Sequence, residues 1–369
     1  MAITAFSKMF KRELDVKQLK SLYQQLPSEI NPSEFIKIDI ECPCCGVTGG
    51  RIVKEGVSSL TKLVVKQAHF AFKNDSCEDA HLVFCDYYSG DDSQNRITND
   101  SIINLSKSSN EVTEAIRKLV CSAIYNDLFQ QKDIRNMRQW FFEMRSTQDF
   151  LVENSKHELN ILRKTIIRSE RNRHEYTIDK SIVNEDWFNL DEEVYESLAT
   201  KFSYPDKIKE INGMNYILSR KTNIKKAISI SQKNHGLFDF DRSRLEEKYR
   251  LATQLSLKII KLDNFLYTKI GSSVSKVRSN NPLMAYSATL LFVNNWNVNT
   301  ALEMHTRILK STTEDENLGN VIGLNPFIHY DAWIALNFSS NWKKEFTEYD
   351  FHQEYLTERE RLKEIYQVD

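Results

Sequence analysis

Cys42-Pro43-Cys44-Cys45 is the stretch that most limits what this chain can fold into. Cys42 and Cys45 form a C-x-x-C pair, and Gly46, Gly49 and Gly50 follow at once. Glycine admits the positive φ that a tight metal knuckle needs. Five of the six cysteines lie between residues 42 and 85. Clustered thiols in a reducing compartment are more often metal ligands than disulfides. Downstream come His69 and Cys77, and two thiols on a knuckle followed by His and Cys make a tetrahedral zinc set. The predicted ligands are Cys42, Cys45, His69 and Cys77, with His81 and Cys85 competing for the second pair. Four protein ligands leave no open position for water, so the expected cofactor is a structural Zn2+.

The residues around the knuckle read as a small β layer. Phe35 to Ile40 alternate apolar and polar, which predicts a strand delivering the chain to Cys42. Arg51 to Lys54 and Leu60 to Phe72 read as two further strands with a turn at Gly56. A knuckle, a hairpin and a second ligand pair are the layout of a zinc ribbon. Residues 86 to 109 are rich in Ser, Asn and Asp and read as a closing linker.

The run from Cys42-Pro43-Cys44-Cys45-Gly46 to His69-Phe70-Ala71-Phe72-Lys73 resembles the N-terminal zinc-finger region of the competence CoiA family. Those proteins pair a C-P-x-C knuckle with a downstream H-F-x-H. The resemblance covers about residues 36 to 85 and fits Cys42, Cys45 and His69. The family's second His falls on Phe72, so the fourth ligand must come from elsewhere, with Cys77 the choice. The resemblance implies a bacterial, DNA-associated setting. It is not taken to extend to nuclease activity, because no D…(D/E)-x-K carboxylate–lysine set stands out after Cys85.

Beyond residue 109 the period changes to that of helices. Only 10 Gly and 6 Pro in 369 residues favour a helix-rich fold. Residues 133 to 175 read as one long helix, or as a pair bent near Ser146-Thr147, with a basic end at Arg163, Lys164 and Arg168. Residues 181 to 204 are acidic, and Asp186 or Asn189 starts the next helix there. Pro282 to Trp296 is apolar on most sides, which predicts a central core helix. The fold class is therefore α+β: a zinc-ribbon-like domain over 1–108, a helical hairpin or long helix over 109–180, and a C-terminal helical domain over 181–369.

The net charge of −1 sets up no global field toward nucleic acid or membrane, but the charge is uneven. Between Pro205 and Asn280 stand 16 Lys and Arg against 7 Asp and Glu. Lys221, Lys225, Lys226, Arg242, Arg244, Lys248 and Arg250 are the candidate nucleic-acid contacts, each able to add a salt-dependent phosphate term. The same cations could instead dock on the chain's own acidic segments at 181–204 and 343–369. No phosphate-binding glycine loop, nucleophile elbow or H-E-x-x-H is present, so no nucleotide cofactor is expected and no catalytic residue is assigned. The start of the chain lacks a signal-peptide pattern and no apolar run is long enough to span a bilayer, so a cytoplasmic location is expected. Three readings follow. The first is a zinc-binding, DNA-associated accessory protein of a bacterial DNA-processing or antiviral defence system. The second is a scaffold binding other protein subunits of a complex, and the third is a divergent CoiA-like nuclease.

Overall fold

In a computed structural model of the protein, the structure describes residues 2–26, 31–43, 45–57, 64–73, 79–82, 85, 87–88, 101–105, 110–147, 150–171, 175–202, 214–311 and 322–368. Cys44 and Cys77 lie outside these residues, as does most of the 86–109 linker. The fold is mostly helical, with several small antiparallel sheets.

The N-terminal layer begins with β1 (Thr4–Ser7) and β2 (Arg12–Asp15), paired antiparallel. Asp15 caps α1 (Val16–Tyr23): its carboxylate accepts from the Gln18 N–H, and the Gln18 side chain accepts from the Asp15 N–H. The strand expected over Phe35–Ile40 is instead mostly helix, α2 (Pro32–Asp39), leading into the short β3 (Ile40–Glu41) on the other edge of β1. Two local features override the alternation. The Asn31 side chain accepts from the Ser33 N–H, and Pro32 sits in the first turn, where its missing N–H costs nothing. The helical period then turns Phe35 and Asp39 inward and leaves Ile38 exposed. Buried Asp39 accepts from Ser7 Oγ and from the Met9 N–H at 2.8 Å, tying α2 to the β1–β2 turn.

The hairpin strands come next: β4 (Gly50–Val53), β5 (Gly56–Val57), β6 (Val64–Lys66) and β7 (His69–Phe72). β4 pairs with β7 and β5 with β6. A short β8 (Ile102–Asn104) follows. The long helical stretch predicted over 133–175 is two helices, Gln131–Ser146 and Lys156–Glu170, preceded by a separate one. α3 (Glu111–Tyr125), capped by Asn110, precedes α4 (Gln131–Ser146), which ends at Thr147 beside the bend expected from sequence. The second half resumes as β9 (Phe150–Leu151) and α5 (Lys156–Glu170), opened by a Ser155–Glu158 capping box.

Then come α6 (Leu190–Lys201), capped by Asn189, α7 (Asn215–Leu218), α8 (Lys221–Asn234) and β10 (Phe238–Asp239). They are followed by α9 (Glu246–Leu262), α10 (Asn264–Ile270), α11 (Val274–Ser279), α12 (Asn281–Val293) and α13 (Val298–Lys310). The chain closes with β11 (Ile322–Leu324), α14 (Tyr330–Lys343) and α15 (Phe351–Tyr366). Among the described residues no helix is long and apolar enough to cross a membrane.

By contacts the chain divides into two units that are each discontinuous in sequence: 1–147 with 245–328, and 148–244 with 329–369. In the first unit, α12 is the central helix expected from its composition. Leu283 to Leu291 are buried without interruption, and α3, α4, α9, α13 and β11 pack around it. The second unit packs α5, α6, α8, α14 and α15 around Leu159, Leu162, Phe202, Trp333 and Trp342. The Phe202 ring alone meets Trp342, Phe346, Tyr349 and Phe351 at centroid distances of 4.9 to 6.3 Å.

Candidate metal centre

The knuckle is built by backbone bonds. The Cys42 N–H donates to Val47 O at 2.8 Å, and the Gly46 N–H donates back to Cys42 O at 3.0 Å. Gly46 is needed for its backbone. Its φ is +74°, and a Cβ there would also meet the flexible ends of Gln139 at 2.9 Å and Arg135 at 3.2 Å, both on α4. The β4–β7 register then decides which downstream residues reach the knuckle. Gly50 pairs with Phe72 and Val53 with His69. Phe72 is therefore the near end of the hairpin, and His69 lies three residues farther off, roughly 10 Å along the strand. The chain continues past Phe72 and folds back: the Ala80 N–H donates to Phe72 O at 3.1 Å, and the Asp79 side chain accepts from the His81 N–H at 2.9 Å. This return places His81 at the knuckle, and the Cys85 N–H to Leu82 O bond turns Cys85 in beside it.

Cys42, Cys45, His81 and Cys85 are the only group of three or more His, Cys, Asp or Glu among the described residues that could hold a metal ion, their ligand atoms all lying within 4.8 Å of one another. Cys42 Sγ and Cys85 Sγ are 3.6 Å apart, and His81 Nδ1 is 3.6 Å from Cys45 Sγ and 3.5 Å from Cys85 Sγ. A tetrahedron with Zn–S near 2.3 Å and Zn–N near 2.0–2.1 Å has edges of about 3.8 Å between sulfurs and about 3.5 Å between sulfur and nitrogen. The observed separations are close to those edges and far too long for a disulfide, and Cys42, Cys45 and Cys85 are in no disulfide.

Cys42 and Cys85 are buried in the core of the layer with Ile40, Phe70 and Phe72, while Cys45 is half-buried. The neighbouring Cys42 and Cys85 thiols, followed by His81, hold the Cys45 thiol far below its ordinary range against the opposing pull of burial. A readily ionised thiol among three further soft donors is the chemistry of a thiolate metal ligand. The Phe72 ring lies 5.1 Å from the His81 ring and helps fix its orientation. Behind the knuckle, Glu41 pairs with Arg135, whose guanidinium also covers the Phe6 ring at 4.6 Å. Buried Arg138 donates to Glu13 at 2.9 Å. The site is thus backed by α4 of its own unit.

Of the four ligands expected from sequence, the structure brings together Cys42 and Cys45. His69 is buried elsewhere, its Nδ1 3.1 Å from Gln67 O, and Cys77 lies outside the described residues. The second pair is the competing one, His81 and Cys85. The four-residue spacing of His81 and Cys85 was the available signal, and the register of β4 with β7 is what ranks it above His69.

The candidate nucleic-acid residues are distributed differently from the sequence expectation. Lys221, Lys225, Lys226, Arg242 and Arg244 belong to the second unit, Lys248 and Arg250 to the first. Arg242 is buried, stacked over Trp333 at 5.6 Å, and Lys221 is bound to Glu192 at 2.7 Å. Lys226 is half-buried, Arg244 is exposed, and Lys248 lies over Trp296 at 5.2 Å. Lys225 and Arg250 are exposed and have no ion-pair partner among the described residues. The basic end of α5 is neither solvated nor open: Lys164 reaches Glu192 and Glu196 at 2.8 Å each, and Arg168 reaches Glu196 at 3.4 Å. Burial pushes the Glu192 carboxyl up, but Lys164 and Lys221 outweigh it and bring it down to about 2.

Neither a family model, nor a curated protein, nor a solved structure matches this chain.

Proposed function

We propose that Cys42, Cys45, His81 and Cys85 hold one structural zinc ion, that the N-terminal layer is a zinc-ribbon-like module, and that the protein is a DNA-associated accessory factor of a bacterial DNA-processing or phage-defence system. The observation that carries the metal assignment is the match between the three measured ligand separations and the edges of a zinc tetrahedron. With all four positions taken by protein atoms, the metal would hold the return of the chain after β7 against the knuckle and leave no site for a reacting water. The DNA part is supported by the excess of cations between residues 205 and 280. It also agrees with the resemblance of the 36–85 region to the CoiA finger, in which His81 and Cys85 would take the place of the second ligand pair.

The uptake of Lys164, Arg168 and Lys221 by internal carboxylates favours a second reading, a scaffold that binds protein. One experiment separates the two. Purified protein is titrated with fluorescent single- and double-stranded DNA across a salt series, and zinc is quantified by elemental mass spectrometry in the same sample. One zinc per chain and an affinity that falls steeply with salt support the proposal. No DNA binding at low salt in zinc-loaded protein discards the DNA part and leaves the scaffold. Absence of bound zinc from protein purified without chelator discards the metal assignment.

A further inference from the structure

α9 and α11 pack together within the first unit and leave a pocket of about 400 Å³ between them. That volume lies within the range of small-ligand sites. Arg250, Lys258 and Lys261 line it from α9 and Arg278 from α11, with Leu257 and Val274 supplying apolar surface. No carboxylate is among the lining residues. Arg250, Lys258 and Lys261 have no ion-pair partner among the described residues, so three cations converge without internal compensation. Arg278 is held in place: its guanidinium covers the Tyr249 ring at 4.7 Å, and its Nε donates to Thr253 Oγ1 at 3.4 Å. Thr253 in turn donates to Tyr249 O at 2.9 Å.

Like charges gathered in a concave, partly apolar setting raise the local potential and favour an anion. The arrangement also indicates what kind of anion. Arg250, Gln254, Lys258 and Lys261 recur at helical spacing on one face of α9, so the row runs roughly 16 Å at 1.5 Å per residue. That exceeds one phosphate, and since each strand of a duplex carries one phosphate per about 3.4 Å of helix axis, a row of this length faces more than one of them. We propose that the α9–α11 pocket seats backbone phosphates of nucleic acid, with Arg278 as the fixed donor and Arg250, Lys258 and Lys261 as the row that follows the strand. Leu257 and Val274 would then lie against the sugars. This inference rests on the DNA reading above and gives it a place in the molecule.

The test compares intact zinc-loaded wild type with Lys258→Glu/Lys261→Glu and with a control of equal charge change on α1, Lys17→Glu/Lys20→Glu. Each is titrated with single- and double-stranded 20-mers over a salt series and with a nucleoside monophosphate. Circular dichroism and zinc content report folding, and Lys258→Gln/Lys261→Gln replaces the reversal if that variant fails to fold. The expected result is at least about tenfold weaker DNA binding for the pocket variant and a log–log salt slope shallower by roughly 2, near one unit per lost contact. The control is expected to retain most of its affinity, and the mononucleotide to bind weakly throughout. If wild type binds DNA and the pocket variant matches the control, the pocket assignment is wrong while the DNA reading stands. If the mononucleotide binds in a pocket-dependent way and DNA does not, both the DNA reading and the backbone assignment are overturned. If nothing binds, both also fall.

Discussion

The N-terminal layer and the second, helical unit solve the same problem of cohesion by opposite means. The layer is built from short strands, and its interior carries polar chemistry: the Cys42–Cys45–His81–Cys85 cluster, the Arg138–Glu13 pair and the Asp39–Ser7 contact. The helical unit is held mainly by packed aromatic and aliphatic side chains, although it also buries charge: Glu158, Asp241 and Arg242 lie inside, and buried Lys164 and Arg168 reach half-buried Glu192 and Glu196 between α5 and α6. A small layer has little apolar surface to bury, and a metal held by the Cys42–Cys45–His81–Cys85 cluster would add the missing cohesion. A bundle with rings packed around Phe202 has no such need.

The largest expected effect tests that contrast directly. Cys42→Ser, or chelation of the metal, should remove the tightest constraint on the layer, since structural zinc sites carry apparent binding energies of about 10–16 kcal/mol. Metal content should fall to zero and hydrogen exchange should accelerate throughout residues 2–26 and 45–57. Amides of α5, α6 and α14 should remain protected. Uniform loss of protection in both regions would show that the layer and the bundle are one cooperative system. The converse substitution is Phe202→Ala, which opens a cavity among four aromatic partners and should cost about 3–5 kcal/mol in the bundle. Zinc stoichiometry should be unchanged, and a drop in bound metal would contradict the separation.

The parts of the molecule legible in the sequence were those set by neighbours along the chain. The C-x-x-C pair, the Asn189 cap of α6, the Asn280-Asn281-Pro282 start of α12 and the break near Thr147 all depend on a few consecutive residues. The α2 helix was misread because Phe35, Ile36, Ile38 and Ile40 alternate well enough for a strand. What decides the outcome is the upstream Asn31-Pro32 cap and a buried role for Asp39. The second metal pair was hidden for a different reason. His69 and His81 are both plausible by spacing, and only the pairing of Gly50 with Phe72 shows which one arrives at the knuckle. The formal charge between 205 and 280 was legible, and so was the option that these cations dock on the acidic segment at 181–204; that Lys221 is the one to do so, on Glu192, depends on how the helices pack.

A smaller effect concerns how the first unit handles a buried base. His305 on α13 is fully buried, bonded through Nδ1 to Tyr286 OH at 3.0 Å, with no hydrogen-bond partner for Nε2 among the described residues. Burial lowers its pKa to about 4. The folded state therefore favours the neutral ring. Its contribution is complete above the ordinary value of 6.5, declines as pH falls from 6.5 toward 4, and changes no further below that. The loss should amount to about 3 kcal/mol. Thermal unfolding between pH 7 and 4 should show this slope in wild type and a shallower one in His305→Leu. Equal slopes would mean that His305 does not titrate on unfolding.

The smallest effect separates paired from unpaired cations. Lys221→Ala should change stability by less than about 1 kcal/mol, because its pair with Glu192 is half-exposed. DNA affinity should stay within about twofold, since this ammonium is already engaged. A large loss of affinity would place Lys221 in contact with phosphate in spite of Glu192.

The interleaving of the two units has a consequence for how the protein is made. The segment 245–328, which supplies the central α12, joins residues 1–147, while 148–244 waits for 329–369. On the ribosome, the first 147 residues emerge before the helix that completes their core, and α5 to α8 emerge before α14 and α15. The knuckle, the β4–β7 hairpin and the His81–Cys85 return all lie within the first 85 residues, so the four candidate ligands can meet, and any metal they bind can be taken up, while the rest of the chain is still being synthesised. A nascent chain stalled near residue 244 would carry the whole Cys42–Cys45–His81–Cys85 cluster on two unfinished cores.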